Sequence, residues 1–195
     1  MGAAGLAAAE IAVPRKRDAE ATRAAILNAA RLHFAQSGYD RAPLRDIAAD
    51  AGADVALIKR YFGGKEGLFE AALKASFGAD RLAGWNRASF GRDIALMMAG
   101  DTHQHPERAQ SFQFLLRAAT SPTTAPMLNA AVQERFMEPI RDWLGGEDVE
   151  ARARLLAATF IGFLVERLIR NQPLEGRERE VFIARATAVF DALAS

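Results

Sequence analysis

The sequence predicts an all-α protein of about nine helices, a small N-terminal helical group followed by a larger helical bundle. Three observations predict it. Apolar residues recur at three- and four-residue spacing along almost the whole chain. Sustained alternation of apolar and polar residues is missing, and clusters of Val, Ile and Thr are few. Gly and Pro fall where helices would end, at Gly38, Gly52, Gly63–Gly64, Gly145–Gly146 and Pro173. With 195 residues, half of them hydrophobic, the chain can bury a sizeable core in one or two domains.

Taken in order, Met1–Val13 is Ala-rich but lacks a basic n-region, and Arg15–Lys16–Arg17 follows the apolar part instead of preceding it. Residues 1–17 therefore read as a disordered arm rather than an export signal. Helix 1 is expected from about Asp18 to Gln36, with Ile26, Ala29, Ala30, Leu32, His33 and Phe34 inward and Gly38 as its stop. Two short helices follow, Pro43–Ala51 and Asp54–Phe62. Pro43 suits a first helical position, where a locked φ helps and a missing N–H costs nothing. Gly52 supplies the turn, and Asp54 is placed to cap the second helix. Lys65 opens a fourth helix, expected to reach about Leu82 as a rigid connector between a domain at 18–80 and one at 81–195. After a break at Gly84–Gly91, helices are expected near Arg92–Gly100, Pro106–Ala119, Ala125–Leu144, Val149–Arg170 and Arg177–Ala194.

Two short helices joined by a tight Gly turn make a helix-turn-helix, here residues 43–62, whose second helix fits a B-DNA major groove. Its spacing turns Leu44, Ile47, Ala48, Leu57, Ile58 and Phe62 inward. It leaves Asp54, Val55, Ala56, Lys59 and Arg60 outward. Val55–Lys65 holds Lys59, Arg60 and Lys65 and no acid. The net charge of +1 says little, but Pro14–Lys74 carries eleven Lys/Arg against eight Asp/Glu, and the remainder is slightly acidic. Spacing alone leaves a DNA-reading face and an ordinary solvated face both open.

At these residues the chain resembles the TetR family of regulators. The resemblance is carried by Thr22-Arg23-x-x-Ile26-Leu27-x-Ala29-Ala30-x-x-x-Phe34-Ala35-x-x-Gly38-Tyr39-Asp40, by Leu44-Arg45-Asp46-Ile47-Ala48-x-x-Ala51-Gly52, and by Lys59-Arg60-Tyr61-Phe62-Gly63-Gly64-Lys65-Glu66-Gly67-Leu68-Phe69. It covers about residues 20–80. It implies an N-terminal helix-turn-helix DNA-binding domain, a helical dimerisation and ligand-binding body, and a repressor released from a pseudo-palindromic operator by a small molecule. Pro43, Leu44 and Arg45 would belong to the DNA-binding surface, with Arg45 reaching a phosphate or base edge. Val55 and Ala56 would offer bases only apolar contact. Lys59, Tyr61 and Lys65 would hold phosphates, and Arg60 would read a guanine. The sequence departs from the family at Ala42–Pro43, where Thr or Ser is usual, and at Lys59 and Tyr61, where Tyr and His are usual. Asp54 reads better as a cap than as a base reader.

Val149–Arg170 is apolar around nearly its full circumference, which argues for core on one side and a partner on the other. Leu156, Phe160, Phe163 and Leu164, with Phe182, Val189 and Phe190 of the last helix, are the expected isologous dimer interface. Met97, Met98, Phe114, Arg117, Met127 and Phe136 are candidate lining for a ligand cavity in the middle helices. They suit an ordinary core equally well.

Catalysis and cofactors find no support. There is no cysteine, no Gly-rich phosphate loop and no placeable Ser/His/Asp arrangement. His103 and His105 share a loop with no third ligand at useful spacing, so no metal site is expected. The longest uncharged apolar run, Leu155–Val165, is far short of the roughly 20 residues a membrane span needs. The expected partners are double-stranded DNA, a second copy of the chain and an unknown small molecule, in the cytoplasm. A helical adaptor that binds only protein is the alternative.

Overall fold

The computed structural model describes residues 16–77, 84–100, 106–170 and 173–195. The helices are α1 (Lys16–Ser37), α2 (Leu44–Asp50), α3 (Val55–Phe62), α4 (Lys65–Ser76), α5 (Phe90–Ala99), α6 (Pro106–Thr120) and α7 (Ala125–Val132). A π-helical turn (Gln133–Met137) joins α7 to α8 (Glu138–Leu144), and α9 (Val149–Arg170) and α10 (Gly176–Ala194) complete the chain. The described residues include no strand. No helix among them is long and apolar enough to cross a membrane.

Two apolar cores hold the helices. In the first, Ile26, Ala30 and Phe34 of α1 meet Ile47 of α2, Ile58 of α3 and Leu68 and Phe69 of α4. Phe114 and Ala118 of α6 and Ala131 of α7 close the same cluster. The Phe69 ring sits 4.9 Å from Phe34 and 5.2 Å from Phe114, both edge to face. A fully buried side chain of this size contributes about 1.5–3 kcal/mol. The N-terminal helices thus share one core with α6 and α7. The second core joins Phe90, Ile94 and Met98 of α5 to Ile140 and Leu144 of α8, Leu156 of α9 and Phe190 of α10.

The most extensive helix pairing is α5 on α10. Gly91 makes it possible, because a Cβ there would overlap the Thr187 carbonyl and the Asp191 carboxylate. Its N–H instead donates to Asp191 Oδ1 at 3.0 Å, satisfying one of the unpaired donors at the start of α5.

The structure corrects several expectations. Helix 1 begins at Lys16, so the last two residues of the expected arm belong to it; residues 1–15 lie outside the described residues. Leu32, expected inward, turns outward and is 43% exposed. Pro43 is the N-cap of α2, with extended backbone (φ −74°, ψ 136°), and not its first helical residue. The fourth helix stops at Ser76, where the Phe77 N–H turns back to Lys74 O at 3.3 Å. The expected end at Leu82 falls outside the described residues, as do His103 and His105. Ala125–Leu144 is not one regular helix. Pro139 has no N–H to give the Arg135 carbonyl, and Glu138 N–H reaches five residues back to Gln133 O, widening the turn.

Candidate nucleic-acid interface

The α2–α3 pair is assembled by backbone chemistry that the sequence dictates. At the end of α2, Gly52 adopts φ +62°. The Ala53 N–H reaches Ala48 O at 2.9 Å and the Gly52 N–H reaches Ala49 O at 3.0 Å. This is a Schellman turn, and it needs the left-handed residue that glycine supplies. Asp54 then caps α3, its Oδ1 accepting from Ala56 N–H at 2.7 Å. Ile58 is fully buried, and Leu57 and Phe62 are half-buried against the first core. Gly63 ends α3 at φ +80°, its N–H donating to Lys59 O at 2.9 Å. One turn later, a Cβ on Gly67 would fall on the Phe62 carbonyl, so glycine is what lets α4 cross the end of α3 this closely.

With α3 anchored, Asp54, Val55, Ala56, Lys59 and Arg60 all face solvent. Val55 is 40% exposed, and with Ala56 it makes the apolar part of this edge. Pro43 and Arg45 on the α2 side are exposed too, Leu44 is half-buried, and Tyr61 is half-buried with its ring edge-on to Phe62 at 6.4 Å. The first turn of α3 carries no acid, and its last turn carries Lys59 and Arg60. Lys65 is half-buried: its ammonium donates to Asp40 O at 3.2 Å and lies 5.0 Å over the Tyr39 ring. Two of its three donors remain for another partner. Burial, followed by the negative charges of Glu66 and Asp40, pushes the Tyr39 hydroxyl above its ordinary value. On the far side, His33 of α1 bonds Asp50 of α2 at 2.6 Å, a local packing contact.

Sequence reasoning missed two cations on this side. Arg41 is exposed next to α2, and Arg23 of α1 lies 4.9 Å over the Phe62 ring at the end of α3. Their charge is legible in the sequence, but the stacking of Arg23 depends on how α1 crosses α3, which spacing does not specify.

In the body, the candidate ligand residues scatter. Phe114 is packed in the first core between Phe34 and Phe69, and Met98 is packed in the second. Their side chains pack against core neighbours, the alternative that the sequence leaves open for them. Arg117 faces solvent on the last turn of α6. Met97 and Met127 are half-buried, and Phe136 is half-buried between Phe77 at 6.5 Å and Phe160 at 6.2 Å.

Of the residues expected at a dimer interface, Val189 stands exposed and the others turn inward to different degrees. Leu156 and Phe190 are buried in the second core and have nothing to offer a partner. Phe160, Phe163, Leu164 and Phe182 are half-buried, and Phe163 meets Phe182 edge-on at 5.4 Å within the chain. The outward stripe is Leu155 (56% exposed), Ile161 (47%) and Ile169 on α9, with Val181 (49%) and Val189 (44%) on α10. Gly162 lies on the same face with open space around it. Leu155 and Leu156 are both apolar, so only the packing of α9 decides which faces out.

Two family models match the chain. The one described as bacterial regulatory proteins, tetR family, matches residues 26–72. The one described as tetracyclin repressor-like, C-terminal domain, matches residues 88–193. No curated protein matches in sequence. Among solved structures, a Rhodococcus sp. protein assigned to the TetR family is similar at TM-score 0.65 and 20% identity, over 90% of this chain and 100% of its own. GusR of Salmonella enterica is similar at TM-score 0.64 and 18% identity, over 89% and 95%. The multidrug binding protein EbrR, in complex with ethidium, is similar at TM-score 0.62 and 20% identity, over 88% and 98%.

Proposed function

This chain belongs to the TetR family of DNA-binding transcription regulators, and from that membership we propose that it is a homodimeric repressor released from its operator by a small molecule. The observation that carries the reading is the exposed face of α3, where Val55, Ala56, Lys59 and Arg60 stand clear of the core on a helix capped at both ends. Arg60 and Arg45 are the bidentate groups suited to base edges, and Val55 and Ala56 suit thymine methyls. Lys59, Tyr61 and the free donors of Lys65 hold backbone phosphates. Asp54 serves as the cap that fixes the start of the reading helix. We divide the chain into a DNA-binding domain at 18–80 and a body at 81–195, which share the first core.

The outward apolar stripe of α9 and α10 supports dimerisation. Leu155, Ile161, Ile169, Val181 and Val189 lie on two neighbouring helices, and a second copy of the same face covers them by twofold symmetry. Two recognition helices then read half-sites about one DNA turn apart. An apolar effector suits the half-buried Met97, Met127 and Phe136. That the similar EbrR was solved with ethidium supports a small-molecule effector without identifying it.

Selection of bound duplexes from a random-sequence library tests the reading. The expected result is an inverted repeat with half-sites one turn apart, bound by a dimer with affinity that falls steeply as salt rises. Transcription from a promoter overlapping that repeat falls when the protein is added. Capture of no duplex, or binding insensitive to salt, overturns the reading in favour of a protein-only adaptor.

A further inference from the structure

We propose that Arg23 of α1 is a further phosphate-gripping residue, held ready beside the C-terminal end of the recognition helix by the ring of Phe62. This inference rests on the DNA-binding reading above and adds a contact that comes from outside the helix-turn-helix. Three observations carry it. The Arg23 guanidinium lies 4.9 Å over the Phe62 ring. Phe62 is the last residue of α3, directly before the exposed Gly63. Arg23 is itself exposed, and no described carboxylate lies within ion-pair distance of it.

The manner of holding matters. A carboxylate partner would cancel much of the charge and occupy the donor fork. An aromatic face fixes the plane of the guanidinium and leaves the N–H groups around its edge unused. The flat, pre-oriented fork is the geometry that phosphate oxygens accept, two at a time. Lys65, on the other side of the α3–α4 turn, is held the same way, over the Tyr39 ring and against a neutral carbonyl. The turn after the recognition helix is thus flanked by two cations whose charge is unspent. Glu20, one turn before Arg23 on α1, and Glu66, beside Lys65, are exposed acids that weaken this potential without pairing with Arg23.

The test measures binding of the full-length protein to a mixed-sequence duplex, from about 50 to 200 mM salt, since a phosphate contact is independent of operator sequence. Each phosphate contact contributes about 0.9 to the slope of log affinity against log salt, so Arg23→Ala, which removes one contact from each protomer of the dimer, is expected to make the slope shallower by about two contacts, with affinity falling at least several-fold at low salt. Arg23→Lys keeps the slope but binds more weakly, because it keeps the charge and loses the fork. Phe62→Leu also weakens binding, because it releases the guanidinium from its plane. If Arg23→Ala lowers the melting temperature but leaves the slope unchanged, Arg23 is only a staple between α1 and α3, and the inference is overturned. If the wild-type protein itself shows no salt-dependent binding, the underlying DNA-binding reading falls with it.

Discussion

Asp54 shows how much one carboxylate settles at this end of the molecule. Its bond to Ala56 N–H fixes where α3 starts, and so which residues face outward. Asp54→Ala is expected to destabilise the fold by about 1 kcal/mol, read as a lowered melting temperature, and to weaken DNA binding through a frayed first turn. Arg60→Ala is the complementary test. Arg60 is exposed, so its loss should leave the melting temperature unchanged while costing about 1–3 kcal/mol of discrimination at one base pair. Unaltered sequence preference in that variant would remove Arg60 from the reading face. At this scale the sequence was informative where a rule is local: the cap at Asp54 and the turn at Gly52 follow from residue type alone. It was silent where a partner comes from elsewhere in the fold. Lys65 against Tyr39 and Asp40, and Arg23 against Phe62, depend on how α1, α3 and α4 cross.

Helix ends were legible at Gly52, Gly63 and Gly145, and α9 begins and ends where its sequence suggested, but Gly91, expected in a break, lies inside α5. The π turn was not legible, because Ala125–Leu144 carries enough apolar residues to satisfy a regular helix and only Pro139 hints at the interruption. That turn presents Glu134 to Lys74 of α4 at 2.6 Å. The hydrogen bond from Lys74, and then the charges of Lys74 and Arg135, hold the Glu134 carboxyl below its ordinary value near 4.5. A depressed carboxyl stabilises the fold above its unfolded-state value and loses that contribution as pH falls through the folded-state value. Melting temperatures of Glu134→Gln and wild type should therefore differ slightly near neutral pH and converge as the pH falls through the lowered folded-state value of the carboxyl. A difference that persists or grows in acid would place the contribution elsewhere. The effect is small, because both partners are substantially exposed.

For the molecule as a whole, composition and helical spacing were enough to give the all-α class, and the order of helices followed. The way the two groups of helices share a core was not readable. Nothing in the sequence of α6 announces that Phe114 sits between Phe34 and Phe69. Nor did periodicity say which side of α9 faces out, because apolar residues occur on every side. The exposed stripe makes the dimer testable. Leu155→Glu or Ile161→Glu places a charge on that face without touching either core. Sedimentation should then show a monomer of unchanged helicity whose affinity for an inverted repeat falls by orders of magnitude, since two half-sites no longer act together. A variant that remains dimeric would exclude this face as the interface.

The pairing of α5 with α10 also sets an order of events during synthesis. The first core needs no residue beyond Ala131, so the DNA-binding end can condense while the rest of the chain is still being made. The second core cannot, because Gly91 and its cap Asp191 are 100 residues apart. At roughly 5–20 residues per second, the apolar face of α5 waits on the order of ten seconds for its partner helix to be made. Throughout that interval the nascent chain carries a nearly finished DNA-binding end on an unfinished body with bare apolar surface. Holdase chaperones therefore have their best opportunity after the DNA-binding end has formed and before the last helix clears the ribosome.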